Sequence, residues 1–292
     1  GTAAVTSKTV AAPIERIKMV IQNQGELLKT GTLKKPFAGI GDCASWIMAN
    51  EGFGAFWKSN FTNCLRYFPT QALNFTFKPI FKNLEPLKKV KGDSNLTALS
   101  KNVAAGGLAG GACLLFVYSL DFARTKLAND LKAKDGGKRQ YEGLIDVYKK
   151  TLATDGVAGL YRGFNISFVG IFIYRGFYFG LYDTIMPMFK TSSFAISFAV
   201  GYAVTVVAGI LSYPIDTIRR RMMMTSGGDK SMMYKGSLDC AAQILKNEGF
   251  TKFFNGAGAN ILRGVAGAGV LSGMDVFTQF YVTSKYGEGH YV

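Results

Sequence analysis

A single histidine, His290, serves all 292 residues. A Ser-His-acid hydrolase needs an imidazole among its partners, and a histidine metal centre needs several, so neither chemistry fits. The four cysteines, Cys43, Cys64, Cys113 and Cys240, form no CxxC pair and follow no metal-ligand spacing. The phosphate-cradling phrase GxxxxGK followed by Ser or Thr is missing too, which argues against a P-loop nucleotide hydrolase. Charge itself is scarce: Asp, Glu, Lys and Arg make up 18% of the chain, and mean hydropathy is positive. The 25 residues from Thr191 to Ile215 carry no charge, nor do the 19 from Asn102 to Leu120. Either run crosses a hydrocarbon core of about 30 Å at about 1.5 Å per residue. No enzyme chemistry and no cofactor are indicated; what is left is binding, in a membrane.

Against this background one phrase is written three times, about a hundred residues apart. It reads Pro13-Ile-Glu15-Arg-Ile-Lys18, Ser119-Leu-Asp121-Phe-Ala-Arg124 and Pro214-Ile-Asp216-Thr-Ile-Arg219. A second phrase follows each copy: Glu51-Gly52, Asp155-Gly156 and Glu248-Gly249, each with an aromatic six residues past its acid. Gly39, Gly143 and Gly236 stand twelve residues before those acids, and Asp42, Asp146 and Asp239 stand nine before them. Such register means a triplicated unit, with repeats over 1–95, 96–192 and 193–292. Apolar runs predict two spans per repeat, roughly 1–24, 58–84, 98–131, 162–190, 194–224 and 257–285. Since backbone groups in lipid must pair internally, the expectation is an all-α membrane protein. Its six transmembrane helices are expected to form a pseudo-threefold barrel of three hairpins, each with a short helix between its two spans. The helical pattern is already under way at Gly1, so part of the first helix and any tail before it are expected to be missing. Gly106/Gly110 and Gly107/Gly111 have the spacing that lets helices approach closely in lipid.

Lys and Arg outnumber Asp and Glu by 34 to 19. Loop clusters such as Lys132, Lys134, Lys138 and Arg139 fit the positive-inside rule, but arginines inside apolar runs do not. In a threefold arrangement the acid of one repeat reaches the cation of the next, giving the pairs Glu15–Arg124, Asp121–Arg219 and Asp216–Lys18. Local pairing along each helix, or snorkelling to headgroups, is the plainer alternative. A closed ring is preferred because ionisable groups at membrane depth are costly and seek partners around a cavity. Such a ring is a gate at one mouth. Lys8, Arg66, Arg175 and Arg263 lie outside it, and their own spans do not offer an available acid for each of them, as befits a visiting polyphosphate. Tyr174, Tyr178 and Tyr182 share one helix face with Arg175 and offer either packing or a stacking surface for a base.

These phrases resemble the signature of the mitochondrial carrier family along the whole chain. Arg219-Arg-Arg-Met-Met-Met224 is similar to a hallmark of its ADP/ATP-exchanging members, and Arg66-Tyr-Phe-Pro-Thr-Gln-Ala-Leu-Asn-Phe75 and Ser7-Lys-Thr-Val-Ala-Ala-Pro-Ile-Glu-Arg16 support the likeness. The resemblance implies exchange of ADP for ATP across the mitochondrial inner membrane by alternating access. By position it gives phosphates to Lys8, Arg66 and Arg263, and adenine to Gly170, Ile171, Tyr174 and Ser212. Arg220 and Arg221 fall on the nucleotide's path, and Gln22 braces the matrix ring. Cardiolipin is implied at helix N-termini near Gly52, Gly156 and Gly249. ADP, ATP and this lipid are the expected partners of a monomer, with no nucleic acid among them.

The chain departs from the family most on the cytoplasmic side. Pro79 replaces the acid of the second helix, leaving Lys82, and Tyr182-Asp183 and Met274-Asp275 lack their cations. Only Lys82–Asp275 remains as a pair from a ring of three. Two expectations follow: a resting state closed at the matrix mouth, and, as an alternative to exchange, a carrier-fold accessory subunit docked in a respiratory complex.

Overall fold

The computed structural model describes residues 2–88, 90, 93–131, 139–185, 194–227 and 233–265. Among them lie nine helices and no strand: α1 (Thr2–Lys29), α2 (Ile40–Glu51), α3 (Asn60–Asn83), α4 (Asn95–Asn129), α5 (Leu144–Leu160), α6 (Phe164–Ile185), α7 (Phe194–Thr225), α8 (Ser237–Asn247) and α9, described over 257–265. Long helices alternate with the short α2, α5 and α8, so each repeat is a long helix, a short one and a second long one. The long helices follow one another around the assembly, with α1 on α3, α3 on α4, α4 on α6 and α6 on α7. The leading helices α1, α4 and α7 also touch pairwise, which brings the three acid–cation phrases together at one end. Pro13 and Pro214 sit inside α1 and α7, within those phrases.

Among the described residues, three helices are long and apolar enough to cross a membrane on length and composition alone: Leu96–Asn129, Phe164–Tyr182 and Ala199–Thr225. The predicted spans 1–24 and 58–84 form the long helices α1 and α3, but their charges and amides keep them below that mark. Most of the span 257–285 lies outside the described residues. Apolar side chains such as Phe61 and Phe75 on α3 point outward at 72% and 78% exposure. That is the inverse of a water-soluble bundle and suits a lipid surround.

The buried apolar core falls into three clusters, one per repeat, where each leading helix meets its short helix. Equivalent positions recur in all three. Cys43, Val147 and Cys240 are fully buried, as are Ile47, Thr151 and Ile244 one turn later. Valine in the second repeat shows that the slot wants a small apolar side chain, and the cysteines are free thiols. Burial pushes the Cys43 and Cys240 thiols up to about 12, so both stay protonated and inert at neutral pH. Each short helix opens on its repeat glycine, and the acid three residues later accepts an amide from just before the helix: Ala38 N to Asp42 (2.9 Å), Glu142 N to Asp146 (3.0 Å) and Lys235 N to Asp239 (2.8 Å). This satisfies a donor the helix cannot use and sets a negative charge at its positive end.

The glycines of α4 do a different job from the one their spacing suggests. They seat side chains of α6 rather than a facing backbone. A Cβ on Gly107 or Gly111 would collide with the ring of Phe172 or Phe168, and one on Gly106 would lie 2.7 Å from the Arg175 guanidinium. The core slot yields a direct test. Cys43→Val is expected to cost less than about 1.5 kcal/mol, whereas Cys43→Ser buries a hydroxyl without a partner at about 1–3 kcal/mol. Thermal unfolding of the purified protein in detergent distinguishes the two.

Candidate functional site

α1, α4 and α7 bring Glu15, Asp121 and Asp216 to one level. Arg124 of the second repeat pairs with Glu15 of the first, Arg219 of the third with Asp121 of the second, and Lys18 of the first lies 3.6 Å from Asp216 of the third. Each leading helix thus gives its acid to one neighbour and its cation to the other. Gln22, one turn beyond Lys18, donates through Nε2 to Asp216 Oδ2 (3.2 Å) and to Thr217 Oγ1 (3.1 Å). Asn63 of α3 donates to Glu15 Oε2 (2.9 Å), and Lys18 Nζ donates to Asn260 Oδ1 of α9 (2.9 Å). Neither asparagine stands out in the sequence.

The arginines outside the phrases require a correction. Arg66 Nε lies 3.7 Å from Asp121 Oδ1, and Arg263 Nη1 lies 3.7 Å from Glu15 Oε1. They do have acids within reach, on other helices. Arg220 Nε reaches Asp216 Oδ2 at 3.0 Å along its own helix. Every acid of the ring therefore holds two cations, with Arg124 and Arg263 on Glu15, Arg219 and Arg66 on Asp121, and Lys18 and Arg220 on Asp216. Six cations on three carboxylates leave a surplus of three positive charges at this level.

Above it opens a cavity of about 750 Å³ whose floor includes Lys18, Asp216 and Arg219. That volume suits a small organic ligand. Arg66, Gly170, Ile171, Tyr174 and Ser212 line its walls, together with Arg175, Tyr178, Asn74 and Cys113. Tyr174, Tyr178 and Tyr182 stack along α6 with ring centroids 6.2 and 6.0 Å apart. Gly170 also has a packing reason, since a Cβ there would lie 2.9 Å from Ile215. The Ser212 hydroxyl donates back to the Ala208 carbonyl at 2.8 Å, leaving oxygen lone pairs toward the cavity. Lys8, Arg220 and Arg263 are not part of that wall. Lys8 lies over the Tyr67 ring, 5.0 Å from its centre.

The triplet Arg219-Arg220-Arg221 divides because successive helical residues turn by about 100°. Arg219 faces the ring and Arg220 takes Asp216, but Arg221 is fully buried away from the cavity on Glu248 and Glu26. The resemblance put it on a nucleotide's path, whereas here it is an ion-pair partner away from the cavity lining. Glu248 is the acid of the third acid–glycine phrase, and its counterpart Glu51 makes a fully buried pair with Arg16 at 2.7 Å. Asp155 instead accepts from Ser226 Oγ (3.0 Å) and Gly227 N (2.6 Å) of the next repeat. These acids are structural anchors, a role the spacing did not disclose.

Gly52, Gly156 and Gly249 share φ values of 85°, 65° and 92°, a region that favours glycine, with open space where a Cβ would stand. None begins a long helix. Gly52 and Gly249 precede the 3-10 turns Phe53–Trp57 and Phe250–Phe254, and Gly156 sits at a kink inside α5. At the far end Lys82 is exposed in the last turn of α3. Asp275 lies outside the described residues, as does the side chain of Asp183.

A family profile described as Mitochondrial carrier protein matches residues 1–88, 96–193 and 190–285. The chain is 57% identical over 99% of its length to "ADP,ATP carrier protein, mitochondrial" of Oryza sativa subsp. japonica, of which it covers 76%. It is 57% identical to "ADP,ATP carrier protein 1, mitochondrial" of Triticum aestivum, covering 88% of that protein and again 99% of its own length. With "ADP,ATP carrier protein, mitochondrial" of Solanum tuberosum it shares 58% identity over 99% of the chain and 76% of the relative.

The two kinds of ion pair here differ in worth. Arg16→Ala takes the closer of two cations from the buried Glu51, leaving Arg139 at 3.6 Å, and is expected to cost about 3 kcal/mol. Lys150→Ala, which removes a pair to Asp146 from a half-exposed lysine, costs about 0–1 kcal/mol. Unfolding midpoints of the two variants in one detergent provide the comparison.

Proposed function

The chain belongs to the mitochondrial carrier family, and from that premise we propose that it exchanges ADP for ATP as a multi-pass protein of the mitochondrial inner membrane. The relatives' printed names supply the substrates. The observation that carries the reading within this chain is the doubled charge at the cavity floor, where three carboxylates hold six cations. A nucleoside di- or triphosphate brings negative charge of the order of that surplus, and arginine's fork suits phosphate oxygens. Arg66 is the phosphate ligand the geometry supports best, being on the cavity wall with its ring partner at the loose distance of 3.7 Å. Lys8 and Arg263 take the remaining phosphate oxygens after small side-chain movements. Gly170, Ile171, Tyr174 and Ser212 frame the adenine, whose flat face suits the tyrosine stack.

Glu15–Arg124, Asp121–Arg219 and Asp216–Lys18, braced by Gln22, form the matrix gate in this reading, and the resting protein keeps it shut. The cytoplasmic gate is reduced to Lys82, Asp183 and Asp275. Cardiolipin is assigned to the surface around Gly52, Gly156 and Gly249, where three equivalent backbones leave room for a headgroup. A monomer suffices in this reading, because residues of α1, α3, α4, α6, α7 and α9 of one chain line the cavity. The accessory-subunit alternative finds no support in the relatives, which are named as carriers.

The test is ADP/ATP exchange by the purified protein in cardiolipin-containing liposomes. Wild type is expected to exchange, and Arg66→Ala to lose about ten- to a hundredfold in rate, the worth of a hydrogen bond to a charged group. A folded wild type that exchanges nothing would sink the proposal.

A further inference from the structure

The three interfaces between repeats are not closed alike. At the ring, two are shut by guanidinium–carboxylate contacts, Arg124–Glu15 and Arg219–Asp121. The third, between the first and third repeats, has no such close guanidinium pair: Lys18 stands 3.6 Å from Asp216, an acid already held at 3.0 Å by Arg220 of its own helix. The remaining contacts are the Gln22 amide on Asp216 and Thr217, Lys18 on Asn260, and Arg263 at 3.7 Å from Glu15. An ammonium at that distance, competing with a closer guanidinium, is a weak clasp.

About 12 Å further along α1, eight residues at about 1.5 Å each, the same interface is clasped again. The Glu26 carboxylate, 5% exposed, accepts from the Tyr234 hydroxyl and from Lys29 Nζ (3.2 Å), and lies 3.5 Å from Arg221 Nη1. Tyr234 and Arg221 belong to the third repeat, and Arg221 is itself fixed by a two-pronged contact with Glu248. Lys29 also donates to the Tyr234 oxygen at 2.7 Å. The neighbouring Gly25 makes this seating possible, because a Cβ there would stand 2.7 Å from both Glu248 carboxylate oxygens. When the interface parts, Glu26 loses both donors of the third repeat, while Arg221 keeps Glu248. The cost of parting thus falls on Glu26.

We propose that Glu26 is a second closing point between the first and third repeats, seated beside Gly25 and held by Tyr234 and Arg221, and that it is the stronger of the two closures at this interface. It is a positioning residue and touches no substrate. The proposal rests on the exchange reading only in that this end must open and shut.

Spin labels on cysteines introduced at the exposed Thr30 and Lys246 report the distance between these repeats. Cys64 is replaced by alanine, and the buried Cys43, Cys113 and Cys240 stay unlabelled. In the full chain in detergent with cardiolipin, Glu26→Gln is expected to raise a second, longer distance about tenfold over wild type, the worth of a hydrogen bond to a charged group. The main distance keeps its position and width. Tyr234→Phe does the same to a smaller degree, and decides the matter alone if Glu26→Gln does not fold. Lys18→Gln, the comparison for the ring clasp, produces less of the longer distance than Glu26→Gln, or than Tyr234→Phe in its place. An unchanged distribution, a main distance that merely broadens, or a larger response to Lys18→Gln would each overturn the proposal. Wild-type exchange in liposomes is scored separately, so a failure of the clasp and a failure of the transport reading are told apart.

Discussion

Everything in this molecule is arranged around three carboxylates that have to be charged and out of water. A lone ionised acid at membrane depth is too costly to persist, so Glu15, Asp121 and Asp216 need cations, and each takes one from an adjoining repeat, Asp216 in addition to Arg220 of its own helix. That demand draws α1, α4 and α7 into mutual contact at one end and leaves the space above them as the cavity. The apolar clusters lie outside the ring, one per repeat. Each repeat supplies most of one small core, with Leu131, Met223 and Met224 reaching into a neighbour's, and at the ring the joints are held by ion pairs. An assembly of this kind can part at its joints without unmaking its cores.

The ring pairs were legible in the sequence because of the triplication. Once Glu15, Asp121 and Asp216 are aligned with Lys18, Arg124 and Arg219, threefold symmetry leaves few ways of pairing them. What was not legible is what breaks or exceeds the symmetry. Arg66 and Arg263 reach acids 55 and 248 residues away in the chain, and no spacing rule connects a residue on α3 or α9 to one on α4 or α1. Arg221 reads as one more cation in a basic run, yet two steps of about 100° carry it to the far side of α7. The glycines of α4 were read as a seam between backbones, because sequence gives the gap but not the side chain that fills it, here Phe168 and Phe172.

Departures from symmetry also mark where the repeats differ in duty. Glu51 and Glu248 are each held by a buried arginine of their own repeat, Arg16 and Arg221, whereas Asp155 turns to Ser226 and Gly227 of the next one. The second repeat is tied to the third there through these donors and through Lys126 and Arg162 on the carbonyls of Met224 and Tyr234, and to the first through Arg139, 3.6 Å from Glu51. The first and third are tied through Glu26. A sequence that repeats its ring phrase three times has left the layer beneath it free to diverge.

Under the exchange proposed, the doubling of cations on each acid makes substrate capture and gate release parts of one act. A carboxylate shared by two cations binds each less firmly than it would bind one, because the second screens its charge. A phosphate that draws Arg66 from Asp121 leaves that acid with Arg219 alone, a tighter pair and a more closed gate on that side. The same phosphate, approaching the floor, also competes for Arg219 itself. The sign of the effect therefore depends on depth: a shallow anion tightens the ring, and one seated at the floor loosens it. A ligand opens a gate only by binding the open state more tightly than the closed one. The nucleotide's advantage over a single phosphate lies here, since a chain of two or three phosphates reaches Arg66 on the wall and the ring cations on the floor together.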